Sequence, residues 1–202
     1  LLVAPPPFQI TELSFPWEDF ATVILGANCR RPAANRVAYN HFESANLAFR
    51  RAAAQGCERI GLVELGWMAT MSAKRRLGGF LSEQSQLPRS RQVPVIRTLD
   101  RDVIALSGWL ERHRPDAILT IRYKEVRDGL AAMGVRTPRD LLLVDLEKHR
   151  ADDPWPGIYH DPQHVGSHAV NLLVSALGLN DRGLPEEPCE SLISGVWSSG
   201  EP

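Results

Sequence analysis

Cysteine is scarce in this chain of 202 residues: Cys29, Cys57 and Cys189 are an odd number at wide spacings. That pattern argues against a disulfide framework and for a reducing compartment, so a cytoplasmic location is expected. Neither sign of charge is in excess, with 23 basic residues against 24 acidic ones and a net charge of -1. Such a chain lacks the electrostatic footprint of a nucleic-acid binder, and this stretch is not expected to grip DNA by itself. No apolar run approaches the roughly 20 residues that a membrane helix needs, so no membrane partner is expected. Leu1 to Phe8 have neither a basic n-region nor a cleavage site and do not read as a signal peptide. The chain also opens without Met, inside the apolar run Leu1 to Ala4, which reads as a buried strand cut from a longer protein.

The signatures of common chemistries are missing as well. There is no P-loop, no G-x-G-x-x-G and no G-x-S-x-G elbow, and no cysteine has the sequence context of a nucleophile. Gly78-Gly79 lies within a helical pattern and reads as close packing rather than a phosphate cradle. His160, His164 and His168 recur every four residues, a spacing that on a helix can bind zinc. Val165, Ala169 and Leu172 form the apolar stripe there, which leaves His164, His168 and Asn171 to the solvated face. Pro162 is expected to start that helix, so His160 falls outside it, and no third ligand is identifiable. No metal, no cofactor and no catalytic residue is expected. Lys74-Arg75-Arg76 reads first as a solvated face. Asp152 and Asp153, in a proline-rich loop, read as solvated, and Trp17, Trp109 and Trp197 as core.

What the sequence does have is a rhythm. Short apolar runs (Leu1 to Ala4, Ala21 to Leu25, Arg36 to Tyr39, Ile60 to Glu64, Val93 to Arg97, Ala117 to Ile121, Leu141 to Leu146) alternate with helical patterns. Phe42 to Gln55 places Phe42, Ala45, Phe49, Ala52 and Ala53 on one face at helical spacing. Ser72 to Gln84 and Asp102 to His113 behave alike, Lys124 to Met133 is shorter, and Gly56 and Gly134 stand where helix C-caps want glycine. Strand-helix alternation implies parallel sheets covered by helices on both faces, an α/β fold. Ile60 to Val63 reads as a strand buried on both faces. A polar loop, Lys148 to Pro156, precedes the last helix, and a final apolar run covers Ser191 to Trp197. Trp67 follows a strand end, where ligand-facing loops occur in such sheets, and can stack on a sugar or base as well as pack.

Several stretches, in order, resemble the LacI (lac-repressor) family. Gly56-Cys57-Glu58-Arg59-Ile60 is similar to its Gly-x-x-Arg-Ile strand entry, and Ser72 to Phe80 to its Arg-x-x-Gly-aromatic helix. Pro115-Asp116-Ala117-Ile118 matches its "PDAI" strand entry, Gly134 to Leu141 its Gly-x-x-x-Pro-x-Asp turn, and Gly166 to Leu177 its late Gly-x-x-Ala helix. The resemblance spans about 160 residues and implies a periplasmic-binding-protein-like effector domain of two lobes joined by three crossovers, with the effector between them. It puts a partial first lobe in 1–40 plus 160–186 and a second lobe in 41–159 plus 187–202. An N-terminal helix-turn-helix domain, absent from this chain, would contact operator DNA.

The same resemblance implies the site. Arg76 stands at the position of the effector-contacting arginine, Ser72 matches an assisting hydroxyl one turn earlier, and Glu147 occupies the place of a ligand-binding aspartate. Arg122 and Tyr123 replace an Asn-Asp pair, Asn40 stands where an aspartate is common, and His160, beside Asp161 at a crossover, where a glutamine is often seen. Trp67, Asn40, Asp161, His160 and Arg122 complete the expected effector-binding set. Two arginines facing one cleft would suit an anionic or acid-sugar effector, unless Glu147 pairs with Arg122. The family implies a homodimeric, non-enzymatic regulator sensing a sugar or sugar derivative. The alternative is a periplasmic sugar-binding protein of a transport system, and the lack of catalytic motifs disfavours an α/β enzyme.

Overall fold

In a computed structural model, residues 1–5, 10, 12–29, 31–65, 74–98 and 103–200 are described. The described residues divide into two compact units, those within 1–40 with 161–194 and those within 41–65 with 74–160 and 195–200.

The first unit is a parallel sheet in the order β1-β2-β3-β9, formed by Leu2–Val3, Val23–Leu25, Arg36–Tyr39 and Glu190–Ile193. Helix α5, Pro162–Gly178, lays Val165 and Ala169 against Val23 and Val37. The helix starts as its sequence dictates. Asp161 is the N-cap, its Oδ1 accepting the Gln163 N–H at 2.8 Å, and proline follows at the first helical position. His160 lies outside the helix, and His164 is exposed along it.

The expected boundary in the tail is wrong. The run Ser191 to Trp197 is two strands in two sheets rather than one. Glu190–Ile193 pairs with β3, whereas β10, Val196–Ser198, pairs antiparallel with β8, Gly157–Tyr159. The last change of unit therefore falls between Ser194 and Gly195, not near 186. Backbone pairing at Arg36 and Asn40, which donate to Cys189 O and Ile193 O at 3.0 and 2.8 Å, holds this tail in the first unit.

The second unit is a six-stranded sheet in the order β10-β8-β7-β6-β4-β5. Its strands are β4 (Ile60–Leu65), β5 (Ile96–Thr98), β6 (Ala117–Thr120), β7 (Leu142–Lys148), β8 (Gly157–Tyr159) and β10. All but β10 are parallel. Side chains alternate as the pleat requires. Ile60, Leu62, Leu119, Val144 and Leu146 pack with Phe49 of α1 (His41–Ala54) and Phe80 of α2 (Arg75–Gln84). Val63, Ile118 and Leu143 pack with Trp109 of α3 (Val103–His113) and with Val126 and Leu130 of α4 (Tyr123–Ala132). The strand Ile60 to Val63 is thus covered on both faces, as its composition predicts. Two glycines permit close approach. A Cβ on Gly79 would lie 2.2 Å from the Phe42 carbonyl oxygen, and one on Gly61 would lie 2.4 Å from the Trp109 ring. Gly56 and Gly134 end α1 and α4 at φ +92 and +78, as C-caps.

Three core assignments shift. Phe42, in the first turn of α1, is 41% exposed, with its ring edge beside Gly78 of α2. Trp109 is buried and Trp197, half-buried, packs against the core of the second unit, whereas Trp17 is only half-buried and Ala53 is exposed. Asp153 is likewise half-buried, while Asp152 is exposed. No helix among the described residues is long and apolar enough to cross a membrane.

Candidate functional site

The parallel strands of the second unit run spatially as β5-β4-β6-β7-β8, so the order reverses between β4 and β6. In open α/β sheets a ligand crevice forms outside the carboxyl ends of the strands at such a reversal, because helices depart to opposite faces there. The residues at those ends are polar: Glu64 on β4, Thr120 on β6, and Asp145 and Glu147 on β7. Glu64, Thr120 and Asp145 are buried, with 3%, 1% and 5% of their surface exposed.

Arg76 is the centre of this edge. Lys74, at φ 61, turns the chain into α2, and Arg76 follows in the first helical turn. The helix buries it, so the expectation that Lys74-Arg75-Arg76 is a solvated face fails at this residue. Its Nη2 donates to Glu147 Oε2 at 3.1 Å and to His41 Nδ1 at 3.3 Å. Arginine only donates, so His41 Nδ1 accepts and its ring is the neutral Nε2–H tautomer. Burial, reinforced by the charges of Arg76, His160 and Arg75, pushes His41 down to about 2. His160, 5% exposed, is pushed down to about 4 by burial and by Arg76, against a backbone hydrogen bond with Leu146. Its Nε2 lies 3.2 Å from Ser44 Oγ, and its ring meets that of His41 edge-on at 5.7 Å. Gly195 backs this ring: a Cβ there would lie 3.0 Å from His160 Cε1. Arg76 is itself pulled down by desolvation, while Glu147, Glu64 and Asp145 hold its charge. An arginine stays protonated through such a shift, so Arg76 is a buried, carboxylate-balanced cation flanked by neutral imidazoles.

A second cluster lines the other face. Asp145 accepts from the Glu147 N–H at 2.9 Å and from Trp155 Nε1 at 3.0 Å, and burial raises its carboxyl. Trp155 stacks on Tyr123 with centroids 4.8 Å apart, and Lys124 Nζ stands 5.7 Å above the indole. Lys148, buried at the end of β7, donates to the carbonyls of Asp153 and Ala151 at 2.9 and 3.4 Å and to Ser198 Oγ at 2.7 Å. It fastens the 149–156 loop and β10 to the sheet.

Of the expected effector residues, Arg76, Glu147 and His160 come together. Arg122 does not join them. It stands at the N-cap position of α4, where its side chain makes no capping bond, and pairs with Glu125, three residues on, so Glu147 is answered by Arg76 and not by Arg122. The case for an anionic effector weakens accordingly, because each of the two arginines already faces a carboxylate. Asn40 and Asp161 belong to the first unit, where Asn40 holds β9 through its backbone and Asp161 caps α5. Trp67 and Ser72 lie outside the described residues. Sequence reasoning missed His41, Ser44, Glu64 and Asp145. Glu64 carried one signal, a charged residue closing an otherwise apolar run. A depression of about 250 Å³ lined by Phe49, Cys57, Ile60 and Leu87 sits at the opposite, N-terminal end of β4, away from these groups.

No protein-family model and no curated protein sequence matches the chain. Solved structures do. A LacI family transcriptional regulator from an Arthrobacter species, in complex with lactose, aligns with TM-score 0.67 at 19% identity, over 87% of this chain and 68% of that one. One from Enterococcus faecium with bound ribose gives TM-score 0.66 at 15% identity, over 87% and 68%. One from Enterococcus faecalis with bound ribose gives 0.66 at 16%, over 87% and 66%. At these identities the likeness establishes the fold, the periplasmic-binding-protein-like α/β architecture shared with these regulators. The chain spans about two thirds of their length.

Proposed function

We propose that the chain is the effector-sensing part of a transcriptional regulator of the LacI family, and that its effector is a small neutral saccharide held against the carboxyl-terminal strand edge of the second unit. The observation that carries this reading is the buried Arg76, set at the strand-order reversal between Glu147 and two neutral histidines. A guanidinium with its charge already balanced offers directional N–H donors without attracting anions, which suits hydroxyl recognition. Support from outside the chain is the fold shared with regulators described with bound ribose and lactose. No catalytic role is proposed. In the whole protein, operator binding would fall to a helix-turn-helix segment beyond this chain and to a homodimer, since half-site spacing mirrors dimer symmetry. Effector binding would then shift the balance between two conformations of that dimer.

The test is a thermal-shift screen of the protein against neutral sugars and their uronic acids, repeated with Arg76→Ala and Glu147→Ala. A rise specific to one neutral sugar and lost in both variants is expected. A rise that survives both variants, or one produced only by uronic acids, refutes the reading.

A further inference from the structure

Glu64 is the penultimate residue of β4, on the face that carries Ile60 and Leu62 and that α1 and α2 cover. It is 3% exposed, and neither of its carboxylate oxygens has a hydrogen-bond partner among the described residues. Its nearest cation is Arg97, directly opposite on the parallel strand β5, with Nε 3.6 Å from Oε2. That distance is an ion pair, longer than a well-formed hydrogen bond. Arg97 is itself half exposed at 52%, so it screens the carboxylate from the solvent side without satisfying it. Burial raises the Glu64 carboxyl, while Arg76 and Arg97 draw it down. Arg76, 3% exposed, has the complementary shortfall: Nη2 is engaged twice, but Nε meets no acceptor among the described residues.

Buried polar atoms in folded proteins are nearly always paired, and one left open is destabilising unless something else completes it. Here an unpaired acceptor on β4 and an unpaired donor in the first turn of α2 coexist in the second unit, and no hydrogen bond joins them. Hydroxyl groups can serve both, because an O–H donates to a carboxylate while its oxygen accepts an N–H. An anionic group cannot, since Glu64 and Glu147 would repel it.

We propose that Glu64 is a specificity-determining residue of this site, its carboxylate accepting hydrogen bonds from the hydroxyls of a neutral polyol whose oxygen takes the Arg76 Nε–H. The proposal rests on the functional reading above and adds a residue and a ligand polarity to it. Since Glu64 acts through its open oxygens, removing them frees the apo protein from an unmet demand while removing a ligand contact. Stability and binding therefore move apart.

The experiment measures melting temperature and titration calorimetry for the wild type, Glu64→Leu, Glu64→Gln and Arg76→Ala. The probes are D-ribose, D-glucose, D-galactose, lactose, cellobiose, D-glucuronate and D-galacturonate. The expected result is that Glu64→Leu melts no lower than the wild type without sugar, yet binds the preferred neutral sugar about 10- to 100-fold more weakly, the range for a lost charged hydrogen bond. Glu64→Gln, which replaces one acceptor with a donor, is expected to change the ranking among the sugars. If Glu64→Leu melts lower and keeps wild-type affinity and ranking while Arg76→Ala abolishes binding, Glu64 is only the partner of Arg97; the proposal fails and the site stands. If the wild type binds none of the neutral sugars, or only the uronates, the functional reading fails and takes this proposal with it.

Discussion

Gly78 and Gly79 are adjacent in α2, yet the structure assigns them opposite responses to the same added methyl group. At Gly79 a Cβ would stand 2.2 Å from the Phe42 carbonyl oxygen, 3.0 Å from its carbonyl carbon and 3.1 Å from the Ala45 Cβ. The obstacle is the backbone of α1, which cannot rotate away, so the two helices must separate. Separation also stretches the buried hydrogen bond from Asn46 Nδ2 to the Gly79 carbonyl, now 2.8 Å. Overpacking of this kind costs about 1–3 kcal/mol, and a weakened hydrogen bond about 0.5–1.5 kcal/mol. Alanine's helix preference returns about 1 kcal/mol. The net expectation for Gly79→Ala is a loss of about 2 kcal/mol. At Gly78 a Cβ would meet only the Phe42 ring, at 3.6 Å, an ordinary contact. Gly78→Ala then keeps the helix preference and gains about 0.5–1 kcal/mol. Urea unfolding followed by circular dichroism measures both, with the midpoint moving in opposite directions at unchanged slope. If Gly79→Ala is as stable as the wild type, or the two variants move together, the close approach of α1 and α2 at Gly79 is wrong.

Other expectations follow from the same packing. Gly61→Ala presses on the Trp109 ring, whose Nε1 donates to Pro94 O at 2.7 Å, and should destabilise by about 1–3 kcal/mol with a shifted tryptophan emission. Lys148→Met removes three hydrogen bonds from a buried ammonium, and limited proteolysis should then cut within 149–156 where the wild type resists. His41 and His160 titrate lower in the folded chain, at about 2 and about 4, than the 6.5 of an unfolded histidine. The unfolded chain therefore binds more protons as pH falls below 6.5, and the stability these rings allow, full above 6.5, is lost on acidification at up to about 2.7 kcal/mol per pH unit for the two. Glu64 and Asp145, raised by burial, act in the opposite sense and reduce the net loss. Melting temperatures at pH 7 and 5 should differ less in a His41→Asn, His160→Asn double variant than in the wild type.

Much of this architecture is legible in the sequence, because burial leaves periodic marks. The apolar runs at Arg36 to Tyr39 and Ala117 to Ile121 are strands, and the helical patterns end at the glycines that end the helices. What a local pattern does not report is which sheet a strand joins. Ser191 to Trp197 reads as one run, but a break at Ser194-Gly195 sends its halves to different sheets. Charge pairing fails for the same reason. The partner of Arg76 is 71 residues away, while Arg122 takes Glu125, a spacing of three that helix geometry already favours. In the sequence Arg76 is legible only through family resemblance; His41 and Glu64 have no counterpart in the quoted motifs and are legible only in three dimensions.

The place of β9 beside β3 bears on how the protein is made. Between Tyr39 and Glu190 lie 150 residues (40 to 189), so the strand that completes this edge of the first sheet is among the last parts synthesised. At translation speeds of about 5–20 residues per second, β3 waits about 8–30 s with one row of backbone donors and acceptors bare. The bulk of the second unit, residues 41–160, is synthesised within that interval. An open parallel edge is a template for pairing with any other nascent chain, so the hazard to this protein in the cell is concentrated in a delay during its synthesis rather than in the finished fold.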